Sequence, residues 1–181
     1  KRDELYDMRP DIRALSDVRP FNHFGGLHVE FPTLMAPGGT LPYENADDYR
    51  RALALVNAFP QVIDNAIVRF RVGARTGVVE SKLTVNNMVA QIDALLAQAP
   101  ADSPFASPVS AFPESIPTGE REDLRRAFVA TAQERLYPAY KRLRDFLASE
   151  YLPVAREQVG MAAMKGGTGY YRHLVAQQTT L

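Results

Sequence analysis

Cysteine is absent from this 181-residue chain. Disulfides, thiolate metal sites and cysteine nucleophiles are excluded, but the compartment is not, since an exported protein without disulfides and a cytosolic one both fit. Net charge is missing as well. Lys plus Arg and Asp plus Glu number 21 each, so no overall field draws in nucleic acid or an anionic surface. No apolar run reaches roughly eighteen residues and no charged-then-apolar leader is visible, which argues against a membrane span or a retained signal peptide. The chain begins at Lys1 rather than Met, which leaves a removed leader open.

Histidine is scarce, with only His23, His28 and His173. His23 and His28 are five apart, not the four that places two imidazoles on one helix face, so they read as loop imidazoles bonded to backbone rather than a metal pair. No H-E-x-x-H triplet occurs anywhere. Glu134 and Glu150 read as solvated partners of Arg135, Arg142 and Arg144.

What the sequence does contain is helical periodicity punctuated by proline and glycine. Leu5, Met8, Ile12 and Leu15 share a face of a first helix that Pro10 kinks or restarts. Turn residues interrupt every short apolar run from Arg19 to Pro42, predicting an irregular wrapping segment with Phe21, Phe24, Phe31 and Leu34 tucked inward and a short strand-like option at Leu27 to Phe31. Asn45 followed by Asp48 predicts a capped helix, with Pro60 opening a second one that ends at Gly73 and Gly77. Lys82 to Ala99 carries a broad apolar face. Five prolines between Pro100 and Pro117 predict a semi-extended connector. From Thr118 an apolar stripe runs to about Val159, bent at Pro138 and Pro153 and stopped at Gly160.

The expected architecture is therefore all-α: a multi-helix array with a long Pro-bent helix and irregular wrapping segments. It reads as one helical region over 1–181, with sub-layers 1–99 and 118–181 joined by the Pro-rich connector 100–117. Thr179-Thr180-Leu181 carries no stop signal and reads as the lead-in to a further helix, so the chain is expected to be the N-terminal part of something longer.

Two glycine-rich stretches could cradle a ligand. Gly73-Ala-Arg-Thr-Gly77 lacks a phosphate-loop pattern and a preceding strand, and reads as a helix-ending turn. Lys165-Gly166-Gly167-Thr168-Gly169 precedes a helix start, where bare backbone N–H groups could approach a substrate. The candidate substrate-binding set is Lys165, Gly166, Gly167, Tyr170, Tyr171 and His173. The alternative for the same stretch is a turn packed under Tyr170 and Tyr171.

Several segments resemble one bacterial family. They are Arg-Pro-Phe-Asn-His-Phe-Gly-Gly-Leu-His-Val-Glu-Phe-Pro at 19–32, Asp48-Tyr49, Gly73 with Gly-Val-Val-Glu-Ser-Lys at 77–82, Tyr-Pro-Ala-Tyr-Lys-Arg-Leu at 137–143, Glu-Tyr-Leu-Pro-Val-Ala-Arg at 150–156, and the closing Lys-Gly-Gly, Tyr-Tyr and Thr-Thr-Leu. In this order they are similar to the family called domain of unknown function 885. The resemblance implies a mostly helical protein about three times this length, similar to zinc metallopeptidases of the gluzincin type, with the zinc motif beyond residue 181. It implies that this segment forms one wall of a substrate cleft and holds neither the catalytic residues nor the metal. Zinc would belong to the parent protein, with the remainder of the polypeptide and a peptide-like substrate as partners. A periplasmic or cell-envelope location is implied too. The competing expectation is a non-catalytic helical binding or scaffold module.

Overall fold

A computed structural model describes residues 10–179, and the first predicted apolar positions, Leu5 and Met8, lie outside them. Seven α-helices follow in order among the described residues: α1 Pro10–Asp17, α2 Leu27–Met35, α3 Ala46–Thr76, α4 Lys82–Leu96, α5 Thr118–Thr131, α6 Tyr137–Phe146 and α7 Gly167–Gln178. The all-α expectation holds.

Helix α3 starts where the sequence places it. The Asn45 side chain accepts from the Asp47 and Asp48 amides while the Asp48 carboxylate accepts from the Asn45 amide, a reciprocal capping box. Pro60 does not open a second helix as expected; it sits inside one helix of 31 residues. Tyr49, Ala52 and Val56 before it and Ile63, Ile67 and Phe70 after it form one buried stripe. That shared burial outweighs the roughly 3 kcal/mol cost of an interior proline.

Helices α5 and α6 form one continuous rod through two widened turns, Ala132–Leu136 and Leu147–Tyr151. In the first, the Tyr137 amide donates to the Ala132 carbonyl; in the second, the Leu152 amide donates to the Leu147 carbonyl. Each ends two residues before a proline, Pro138 or Pro153. An i to i+5 turn opens the helix where a pyrrolidine ring would otherwise strike a carbonyl one turn back. The predicted bend at Pro138 thus takes a specific form, but at Pro153 the rod ends in a short 3-10 turn, Leu152–Val154, instead of running on to Gly160 as expected, because the ring denies the next turn an N–H donor.

Two expectations fail for stated reasons. The segment Arg19 to Pro42 contains helix α2, not a strand or a wholly irregular wrap. Within it Phe21 and Phe31 are buried, yet Phe24 is 88% exposed and Leu34 39%. The Asn22 side chain accepts from the Phe24 and Gly25 amides, which fixes a tight turn and presents Phe24 at its tip. The connector is not extended: Pro100–Asp102 and Pro104–Val109 are 3-10 turns, and Phe105, Ala106, Val109 and Ile116 join the main core.

That core is aromatic at its centre. Phe31 stacks on Phe59 at 4.0 Å between ring centroids, and Phe70 meets Tyr151 edge-on at 4.9 Å. Helix α2 also contains Pro32, which has no N–H to give the carbonyl of His28 one turn earlier. The buried Tyr140 hydroxyl donates to that carbonyl instead, at 2.8 Å. Tyr140→Phe should therefore leave a buried acceptor unpaired and lower stability by about 1–3 kcal/mol in urea denaturation; an unchanged midpoint would contradict this role.

Candidate functional site

Three chain segments meet beside the N-terminus of α4. Gly73, near the end of α3, lets them close up: a Cβ there would lie 2.6 Å from the Val78 carbonyl oxygen and 2.8 Å from that of Val18. Residues 78–82 then run against residues 155–156. The Arg156 amide donates to the Glu80 carbonyl at 3.1 Å, and the Lys82 amide to the Arg156 carbonyl at 2.9 Å. Ser81 caps α4 by accepting from the Thr84 amide.

The result is a cleft of about 350 Å³, its floor carrying Arg19, Glu80, Ser81, Thr84 and Arg156. Arg19 Nη1 donates to Glu80 Oε1 at 3.0 Å, with the two side chains only 10% and 7% exposed. Arg19 Nε is also spent, on the Leu15 carbonyl. The Glu80 amide donates to the Tyr151 hydroxyl at 3.0 Å, and burial pushes the Tyr151 phenol up to about 12. Arg156 anchors the opposite wall, with Nε on the Val79 carbonyl and Nη1 on the carbonyls of Gln158 and Gly160. Neither Arg19 Nη2 nor Arg156 Nη2 makes a hydrogen bond among the described residues. Two guanidiniums against the single Glu80 carboxylate give the floor one positive charge in excess. Lys82 and Glu157, close by, pair with each other.

The rim is the opposite in character. Phe24, Leu83 and Val159, one from each segment, line the same cleft at 88%, 57% and 62% exposure. His23 also lines it, and its Nδ1 makes no hydrogen bond among the described residues. A charged floor under an apolar rim suits a ligand with an anionic group and an apolar body.

None of the predicted substrate-binding residues lines this cleft, although Gly167 and Tyr170 contact residues that do. Lys165 Nζ donates to the Thr76 carbonyl at 3.1 Å. Gly166 packs against Leu15, and Gly167 lies so close to Met161, itself a lining residue, that a Cβ would fall 1.7 Å from the Met161 carbonyl oxygen. Tyr170 connects to the cleft directly: the Arg19 guanidinium lies 5.4 Å above its ring, and its hydroxyl accepts from Ser16 at 3.1 Å. Tyr171 is exposed, and His173 is half-buried with Nε2 unbonded among the described residues.

Glu150, Arg142 and Arg144 form ion pairs, though not the expected ones, and Glu134 and Arg135 form none among the described residues. Glu150 binds Arg71 through two hydrogen bonds, Arg142 grips Asp64, and Arg144 pairs with Asp93. Among the described residues no group of three His, Cys, Asp or Glu side chains could hold a metal ion. The donor set present here does not fit zinc, and no chemical step can be drawn through that metal from these residues.

Sequence reasoning missed Arg19, Glu80 and Arg156 as a unit because they are 61 and 76 positions apart. A signal was present: three of the segments that carry the family resemblance, at 19–32, 77–82 and 150–156, are the ones that meet at the cleft.

Among curated proteins none has a significantly similar sequence. A solved structure of similar fold is a protein of Colwellia psychrerythraea provisionally named a lipoprotein, with TM-score 0.80 and 19% identity. The match covers 88% of this chain and 28% of that one, so the chain spans less than a third of that protein's length. At this identity the likeness is one of fold. The family model for a bacterial protein of unknown function, DUF885, matches residues 3–181.

Proposed function

The chain belongs to the bacterial DUF885 family, and from that premise we propose that it is the N-terminal helical portion of a longer zinc-dependent, peptidase-like hydrolase. In this reading it supplies a wall of the substrate cleft while the metal and the catalytic groups come from elsewhere in the longer protein. The observation that carries the reading is the cleft itself, a charged floor under three exposed apolar side chains, in a chain that covers 28% of a protein of the same fold. An exposed apolar cluster of this kind marks a surface that meets a ligand or another part of a protein. Lys165, Gly166, Gly167, Tyr170, Tyr171 and His173 form the margin of that wall, with Tyr170 holding the Arg19 guanidinium in place. The lipoprotein name of the structural neighbour favours a cell-envelope location. No described helix is long and apolar enough to cross a membrane.

The test is metal analysis together with peptide hydrolysis. The 181-residue chain should hold no stoichiometric zinc and cleave nothing, whereas a longer family member containing the corresponding segment should bind zinc and hydrolyse peptides in a chelator-sensitive manner. A longer member that binds peptides but neither holds zinc nor cleaves them would favour a binding or scaffold module instead.

A further inference from the structure

We infer that the 350 Å³ cleft recognises a carboxylate attached to an apolar residue, the chemistry of a peptide's free C-terminus. This rests on the cleft reading above but needs neither the metal nor hydrolysis. Arg19 and Arg156 each hold Nε and Nη1 on fixed partners, so their planes are set before any ligand arrives. Guanidiniums locked in this way lose little entropy on binding, and with Nε and Nη1 spent each leaves its Nη2 to donate to a carboxylate oxygen. Glu80 neutralises only one of the two, and its own amide and carbonyl are occupied by Tyr151 and Arg156, so it is held as a fixed partner of Arg19.

The helix terminus adds little by donation. The Thr84 amide is taken by the Ser81 side chain, the Lys82 amide by the Arg156 carbonyl and the Val85 amide by the Ser81 carbonyl. The recognition therefore falls on the two arginines. Phe24, Leu83 and Val159 stand around the same opening, where the side chain next to a bound carboxylate would lie. Burying an aliphatic side chain there adds the hydrophobic part of the affinity.

The experiment compares two ligands that differ only in charge, N-acetyl-L-leucine and N-acetyl-L-leucinamide, titrated into the unmodified chain and followed by backbone amide NMR. The acid should give saturable shifts at residues 19–24, 80–84 and 156–160 and bind at least about tenfold more tightly than the amide. Phe24→Ser, a change at a side chain that is 88% exposed, should weaken the acid several-fold without altering the fold. A tripeptide ending in leucine should bind at the same residues if the natural source is a peptide, and more weakly than the free N-acetyl acid if it is a small metabolite. Equal affinity for acid and amide, or shifts mapping away from these segments, would overturn the inference. Chelator should have no effect on this binding. A longer protein that fails to hydrolyse peptides would thus remove the hydrolase reading and leave the carboxylate site standing, while loss of the acid preference would do the reverse.

Discussion

Lowering the pH from about 6.5 to about 4 should cost this protein on the order of 3 kcal/mol of stability through His28 alone. The ring is 3% exposed, stacks on Phe21 at 4.7 Å, and bonds through neither nitrogen among the described residues. Burial lowers its pKa from 6.5 to about 4, against a smaller opposing pull from Glu30. The unfolded chain therefore takes up a proton first as pH falls. Stability is unaffected above about 6.5, declines through the window between the two values, and reaches its full loss below about 4. The carboxylates with lowered pKa, Asp48, Asp145 and Glu150, contribute their own loss only as pH falls below the usual carboxylate range. Urea midpoints at pH 7.5, 6 and 5 should thus fall steeply in the natural chain and much less in His28→Gln, whatever that variant's stability at pH 7.5. Parallel slopes would show that His28 is not the group responsible.

Gly167→Ala should be among the most damaging single changes, at least about 2 kcal/mol, because the added Cβ would fall 1.7 Å from the Met161 carbonyl oxygen, a backbone atom that cannot swing aside. Relief requires α7 or the Met161–Ala163 turn to move, and both border the cleft. Gly169→Ala, two residues on, meets nothing within 4 Å. In a helix that change should be neutral or add roughly 0.5–1 kcal/mol. A pair of denaturation curves separates the two; similar behaviour of both variants would mean that the glycine-rich turn is open, as a ligand cradle would need, and not packed shut.

Legibility in the sequence followed the range of the interaction. The Asn45 and Asp48 cap and the apolar face of α4 depend on neighbours within a few residues and could be read directly. Pro60 and the connector were misjudged because tertiary burial overrode local preference: one stripe continues across Pro60, and Phe105 and Val109 anchor a proline-rich stretch in the core. Phe24 was misjudged for the opposite reason, since a local Asn22 turn overrode its hydrophobicity. The cleft was the least legible part. Arg19, Glu80 and Arg156 come together only through the close approach at Gly73 and the pairing of residues 80–82 with Arg156. Lys165, Gly166, Gly167, Tyr170, Tyr171 and His173, singled out by glycine density and aromatic pairing, do not line the cleft, and of these Tyr170 touches a lining residue, Arg19.

If substrate lies against the wall of this cleft, steady-state kinetics of a longer family member carrying Phe24→Ser together with Leu83→Ser will show it. KM for peptide hydrolysis should rise about tenfold while kcat, zinc content and Tm stay unchanged, because both side chains would meet substrate and not the protein's own core. An unaltered KM with a lowered Tm would contradict that placement and make this apolar rim a seam covered by the rest of the polypeptide.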